Sequence, residues 1–333
     1  MSKQALMMGS DPEFMLQERN GNLKSAIGIV DGTKEHKVNL GNGHYMFFDN
    51  VLVEVNVVPA SDPAQVVMNF QDCLKRLSKA VYPYTLRIQS SAKYPVAECQ
   101  AEEAKVFGCE PEYDAYELSQ VMAPTCTDTF RSAGGHIHLG YAKEAYPLLA
   151  PKTEDDRMDR DFGRVWVVRM MDLFVGIPSL FIDHDPTSAA RRRLYGNAGT
   201  HRPKEDYGVE YRATSNFWLR SPKTVTLIYN LSQFVVDFVA ARRHLEFWKD
   251  QPAWMKENEK WMETHDSELP VEKQCFGYNI ADLKDAINNS NKDKASIFLS
   301  KFVKKHLPTN LYQELLIACE PSTQTFQREW GIG

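Results

Sequence analysis

The sequence predicts an α+β layered fold with a helical C-terminal extension. Three observations carry that expectation. Short segments with period-two alternation are spread through the first 214 residues. Longer segments with apolar residues at helical spacing, and loops, separate them. Beyond about Gln251 only helical patterns remain. Residues 1–250 are therefore expected to form one unit, with residues 251–333 as a helical extension packed on the same core.

The elements follow in order. Residues 5–16 read as a strand leading to the turn Glu18-Arg19-Asn20-Gly21-Asn22. Val51 to Val58 reads as a second strand, with Leu52, Glu54 and Asn56 on one face and Val51, Val53, Val55 and Val57 on the other. Polar residues opposite a row of valines imply that one face packs on helices while the other lines a wet cavity. Asp62 as N-cap and Pro63 at the first helical position open a helix. Val66, Val67, Phe70, Leu74, Leu77 and Val81 recur along it at helical spacing. Thr85 to Ser90 reads as a short strand, and 93–130, rich in Pro, Cys and acids, as long irregular loops. Gly134 to Gly140 alternates like a strand entered through glycines. After a charged loop, Pro151 to Arg160, an apolar helix of about two dozen residues ends near Asp183. Residues 184–207 lack periodicity, and Gly208 to Thr214 reads as a short strand. Ser221-Pro222 repeats the capping pattern and opens a helix through Phe247. Helical patterns return at Asn279–Asn288, Lys294–His306 and Asn310–Cys319.

Composition narrows the function classes. The chain is 43% hydrophobic and 25% charged, as globular proteins are. A net charge of −5 and a pI of about 6.0 leave no footprint for non-specific nucleic-acid binding. The basic clusters Arg191-Arg192-Arg193 and Lys304-Lys305 are too short to reverse this. The six cysteines (Cys73, Cys99, Cys109, Cys126, Cys275 and Cys319) form no C-x-x-C pair and read as reduced thiols. Met1 to Glu13 lacks the features of a signal peptide. Leu173 to Ile182, the most apolar stretch, is shorter than a membrane span. A cytoplasmic protein with no membrane partner is expected. Apolar helix faces fit an oligomer interface as well as a core, so that question stays open.

Four segments place polar side chains on strands. Asp11 and Glu13 lie two apart and share a side. Glu54 sits on the second strand with Asp49 just before it. His136 and His138 share a face, as do Glu210 and Arg212. Singly these suit a solvated strand face, a hydrogen-bonded histidine pair and a surface ion pair. Gly134 and Gly135 before the histidines would let backbone approach a ligand. Together, four polar faces each backed by apolar residues point to one pocket. Carboxylates in excess over imidazole, without cysteine at metal spacing, suit Mg²⁺ or Mn²⁺ rather than structural zinc. Arg191, Arg192, Arg193, Arg202 and Arg212 fall within a short glycine-interleaved stretch. They suit an anion such as phosphate or carboxylate, or else a solvated basic loop. Metal-binding acids beside an arginine cluster are what phosphoryl transfer requires. No G-x-x-x-x-G-K-[ST] run is present.

The motif order is familiar: Gly9-Ser10-Asp11-Pro12-Glu13-Phe14, then Glu54 to Ala60, Phe107-Gly108-Cys109-Glu110-Pro111, and Arg131 to Gly140. Arg193 to Gly199 and Tyr207-Gly208-Val209-Glu210-Tyr211-Arg212 complete it. The series resembles the phage-type COOH–NH₂ ligases (type 2 amidoligases), within the group of glutamine synthetase and glutamate–cysteine ligase. It covers about residues 5–245.

The resemblance implies a catalytic domain over residues 1–250. Its curved antiparallel sheet of glutamine-synthetase-like type would hold ATP and Mg²⁺ ions, with helices on the convex face. It implies metal ligation by Asp11, Glu13, Glu54, His136 and Glu210, with Asp49 in the second acidic set. His138, Gly134, Gly135, Arg193, Arg202 and Arg212 would face ATP. Arg193 and Arg212 would hold the transferring phosphoryl group, and Asp49 or Glu112 would take the proton from the amine. Asp-Pro-Glu departs from the Glu-x-Glu of glutamine synthetase, which puts the ligation by Asp11 in question. The implied reaction joins a small-molecule or peptide carboxylate to an amine through an acyl phosphate, with the 93–130 loop as a lid. A phage gene would place it in the bacterial host cytoplasm. Rival readings are a metal-dependent hydrolase with the same pocket, a guanidino-kinase-like phosphotransferase, and a non-catalytic phage interaction protein.

Overall fold

A computed structural model describes residues 6–105, 111–121, 129–141, 146, 149, 157–244 (with side chains from 163) and 278–332. Cys109, Cys126 and Cys275, most of the Phe107–Pro111 motif, most of the charged loop 151–160 and residues 251–277 of the expected extension lie outside them. The fold is α+β, with a large antiparallel sheet and helices.

The first strand is divided in two, β1 (Met7–Ser10) and β2 (Glu13–Gln17). Both run along one edge of β6 (Leu52–Ala60), and the break falls at Asp11-Pro12. Pro12 has no N–H to give, yet its carbonyl accepts from Val55 N at 3.1 Å. Proline thus marks the point where the chain changes its outer neighbour. The other edge of β1 pairs with β12 (Ile137–Gly140), while that of β2 pairs with β3 (Leu23–Lys24) and β7 (Thr85–Arg87). On its far side β6 pairs with β5 (His44–Asp49), which pairs with β4 (Val38–Gly41). Asn50, at φ 58°, makes the tight turn between β5 and β6.

Outward from β12 come β14 (Gly208–Tyr211), β13 (Thr200–Lys204), β9 (Glu112–Asp114) and β10 (Ser119–Val121). The expectation of irregular loops over 93–130 is corrected here, because β9 and β10 extend the sheet. Prolines, acids and three-residue strands left no period to read. β8 (Ser91–Lys93) pairs separately with β11 (Phe130–Ser132).

One face of the sheet is apolar. Met8, Phe14, Val53, Val55, Ile137, Leu139, Val209 and Tyr211 are buried there. Helix α1 (Pro63–Ala80) packs on β6, with Asp62 capping it as expected: its carboxylate accepts from Gln65 N at 3.0 Å. The long apolar helix is α2 (Arg157–Met171), a π turn at Asp172–Gly176, and α3 (Ile177–Ile182). Gly163–Ile182 is long and apolar enough to cross a membrane by composition, which corrects the shorter span read from the sequence. It is 89% buried inside the fold, packed against β14 and α5 (Pro222–Ala240). Helix α4 (Ser188–Arg192) precedes β13. Ser221 caps α5 with a capping box, and α5 ends at Ala240, before Phe247.

Helices α6 (Ile280–Asn288), α7 (Lys292–Phe298), α8 (Lys304–His306), α9 (Thr309–Ala318) and α10 (Phe326–Trp330) follow. A π turn, Leu299–Val303, joins α7 to α8. Leu283, Phe298, Leu315 and Trp330 enter the same hydrophobic cluster as the sheet.

Candidate functional site

Strand register decides which side chains meet. Glu13 lies opposite Glu54, and Gly9 opposite His138. His138 lies opposite Glu210, and Glu210 opposite Arg202. Because side chains alternate along a strand, Asp11, Glu13, Glu54, His136, His138, Arg202, Glu210 and Arg212 project from the face opposite the apolar one. Asp49 joins them at the end of β5.

The acids fall into two groups. Oxygens of Glu13, Asp49 and Glu54 lie within 4.8 Å of one another, and so do ligand atoms of Asp11, His136 and Glu210. Gly134 N donates to Glu13 Oε2 at 2.6 Å, which anchors the first group to the histidine strand. In the second, Asp11 Oδ1 lies 3.1 Å from both His136 Nδ1 and His138 Nε2, and Glu210 Oε1 lies 3.5 Å from His136 Nδ1. Cations border each group. Lys34 Nζ is 3.1 Å from Asp49, and Lys204 Nζ is 2.8 Å from Glu210 Oε2. Arg212 donates through Nε to Glu112 Oε1 at 2.6 Å and through Nη1 to Glu210. Arg202 lies 3.7 Å from both Glu112 and Glu210.

Burial shapes the electrostatics of both groups. Burial, with the Asp49 charge adding, lifts Glu13 to about 7. Burial also lifts Glu54 well above its ordinary value, reinforced by Asp11, Glu13 and Asp49. Glu210 is raised by burial and then by Asp11. Burial opposes the ionisation of Asp11 too, but His138 and His136 outweigh it and hold the carboxyl well below the usual range. For His136, burial and the neighbouring Arg212 push the imidazole down to about 3, so it is neutral. In His138 burial is outweighed by Asp11, and the ring is raised. Buried carboxylates that lift one another need positive charge nearby. Both groups fit a divalent cation, and their oxygen-rich donors suit a hard one.

Of the residues singled out from sequence, Asp11, Glu13, Asp49, Glu54, His136, His138, Arg202, Glu210 and Arg212 share this face. The arginine run divides. Arg191 is buried and donates to the carbonyls of Ala133, Ala213 and Thr214, and Arg192 to the Ser179 and Ser290 hydroxyls. They act within the protein rather than as anion forks, while Arg193 is exposed at the end of α4. The glycines also serve the fold. A Cβ on Gly135 would lie 2.5 Å from Ser215 O, and one on Gly134 would strike the His136 ring.

Sequence reasoning missed Tyr195, Lys34, Lys204 and Tyr207, whose hydroxyl lies 2.5 Å from His138 Nδ1. Tyr195 stands in the Arg193–Gly199 motif, and Lys204 lies two residues after Arg202, which was a usable signal. Nothing in 31–37 marked Lys34. The 93–105 segment is pinned: Asn50 Nδ2 and Arg131 Nη2 donate to Ala104 O at 2.6 and 2.8 Å.

Residues 163–267 match the model of the family described as phage phiEco32-like COOH.NH2 ligase-type 2, which supports an amidoligase-type assignment. The match takes in Tyr195, Arg202, Glu210 and Arg212, whereas the earlier motifs precede it. A bifunctional glutathione synthetase from Pasteurella multocida aligns with 98% of this chain and 52% of its own, at a TM-score of 0.44 and 10% identity. The chain thus spans about half the length of that structure. No curated protein matches by sequence.

Proposed function

We propose that the chain is an ATP-dependent carboxylate–amine ligase working through an acyl phosphate. The observation that carries this is the pair of acidic groups, Glu13/Asp49/Glu54 and Asp11/His136/Glu210, side by side on one sheet face and bordered by Arg202 and Arg212. The family match to residues 163–267 supports the reaction class. The reading carries with it a curved, glutamine-synthetase-like form for the sheet.

A carboxylate is a poor electrophile, and condensing it with an amine in water is uphill. Transfer of the γ-phosphoryl group to the carboxylate oxygen releases ADP. Attack of the amine nitrogen on the acyl carbon then expels phosphate. Glu13 and Glu54 in one group, and Asp11, His136 and Glu210 in the other, would hold divalent cations, Mg²⁺ or Mn²⁺, which supply charge neutralisation and Lewis acidity at phosphoryl and carboxylate oxygens. The chain's own groups do the rest. Arg202 and Arg212 direct guanidinium charge toward the phosphoryl oxygens. Neutral His136 offers a lone pair, and the Asp11 charge favours the protonated form of His138. Asp49, half-buried at the edge of the first group, takes the proton that the amine loses.

The test is to incubate the purified chain with Mg-ATP and mixtures of carboxylates and amines. ADP and phosphate release should require both substrates, and Glu210→Ala should abolish it. Bond cleavage that proceeds without nucleotide would overturn the ligase reading.

A further inference from the structure

The groups behind the second acidic cluster form a layer that the reading above leaves unassigned. Tyr195 sits just after α4. Its hydroxyl oxygen lies 3.2 Å from His136 Nε2 and also accepts from Arg212 Nη2. Two guanidinium groups lie near the phenol, Arg191 at 5.2 Å and Arg212 at 5.4 Å from the ring centroid. Arg191 is in turn fixed by the carbonyls of Ala133, Ala213 and Thr214, on the segments that carry His136 and Arg212. The next residue is Gly196, at φ 77°, where a Cβ would strike Arg191 Nη1. The loop therefore favours glycine there and closes tightly over Arg191.

A neutral imidazole carries one N–H and one lone pair, and the partner of one nitrogen decides the role of the other. On the Nδ1 side of His136 stand Asp11 Oδ1 at 3.1 Å, Glu210 Oε1 at 3.5 Å and Arg212 Nη1 at 3.2 Å. The two carboxylates would accept from an Nδ1–H, whereas Arg212 can only donate and favours a bare Nδ1, the state in which the ring can ligate a cation through that atom. On the other side Tyr195 offers an oxygen that can accept from Nε2–H. With the proton on Nε2, three acceptor atoms (Nδ1, Asp11 Oδ1 and Glu210 Oε1) converge on one place.

Resting on the cation site read above, we propose that Tyr195 is a positioning residue. It accepts the Nε2 proton of His136 and a proton of Arg212, so that His136 presents Nδ1 to the cation beside Asp11 and Glu210. Partners of this kind behind a ligating histidine are typically worth about 10- to 100-fold in metal affinity.

Tyr195→Phe removes the oxygen and keeps the ring. Titration of the full metal-free chain with Mn²⁺ alone, followed by the resonance of free Mn²⁺, should show binding weakened about 10- to 100-fold. The melting point in EDTA should stay close to that of the unsubstituted chain. A second measurement needs no variant: the ¹⁵N shifts of His136 in the unsubstituted metal-free chain should report the Nε2–H tautomer. Equal Mn²⁺ affinity in the two chains, or an Nδ1–H tautomer, would overturn the role of Tyr195 while leaving the cation site standing. If Mn²⁺ binding is insensitive to His136→Ala, or is absent altogether, the cation site fails and the proposal with it.

Discussion

Lys34 shows how a single residue can counter the charge of a whole cluster. It stands on an exposed turn, yet its Nζ reaches Asp49, and the charges of Asp49, Glu54 and Glu13 overcome its burial and raise its pKa. A divalent cation at that cluster would have to share the same negative field. Lys34→Gln should therefore tighten Mn²⁺ binding. The gain is modest, about two- to fivefold, because exposed ion pairs are worth roughly 0.2–1 kcal/mol. Calorimetric titration of both chains checks this, and an unchanged or weaker affinity would show that Lys34 does not compete. At this scale the sequence was legible wherever period two applies. Asp11 with Glu13, His136 with His138, and Glu210 with Arg212 fall on one face because strand geometry leaves no choice. The division of those acids into two groups was not legible. It depends on the break at Pro12 and on the Asn50 turn, which set Glu13 against Asp49 and Asp11 against His136. Residues that serve from loops, such as Lys34 and Tyr195, obey no periodicity, and the buried fate of Arg191 follows from carbonyls on distant segments.

Among the elements, the core helix departs most from its pattern. The sequence reads it as one apolar helix, and its apolar residues are buried as that reading requires. The π turn at Asp172–Gly176 gives no periodic signal, because its cause lies in the sheet. Asp172 is fully buried and accepts from the Tyr211 hydroxyl at 2.7 Å and from Gly199 N at 2.6 Å. A Cβ on Gly176 would lie 2.9 Å from that same hydroxyl. The widened turn thus seats the β13–β14 hairpin, which carries Arg202, Glu210 and Arg212 on its other face. Burial lifts Asp172 from an ordinary 3.8 to about 7. With a folded pKa above the unfolded one, its contribution to stability is full below about pH 4 and is lost as pH rises through about 7. Asp172→Asn abolishes that titration. The stability of the native chain minus that of the variant, measured by urea denaturation, should fall by about 1 kcal/mol per pH unit between pH 5 and 7. A difference that stays flat with pH would show that Asp172 is ionised throughout.

Over the whole molecule, one hydrophobic cluster runs from Leu6 to Ile332. Helix α10 closes over the sheet's apolar face. Phe326 stacks on Phe14 at 6.1 Å between ring centroids, beside the ligand candidate Glu13. Trp330 is fully buried against Phe70, and its indole N–H donates to Leu219 O at 2.7 Å. Gln327 adds a side-chain bond to Leu86 O at 2.8 Å. Helix α10 escaped the sequence reading because five residues are too few to show a helical period, whereas α6 and α9 were long enough to declare themselves. Its energetic weight is out of proportion to its length. Trp330→Ala leaves a cavity between α1 and the Leu219 segment and strips that carbonyl of its partner. The expected loss is about 3–5 kcal/mol, the range for large aromatic truncations in a core. Because the cluster is continuous, the loss should appear as a lower midpoint of a single unfolding transition, with the sheet and the C-terminal helices melting together. Two transitions in the variant, with only the weaker one displaced, would show instead that the C-terminal helices fold as a unit of their own.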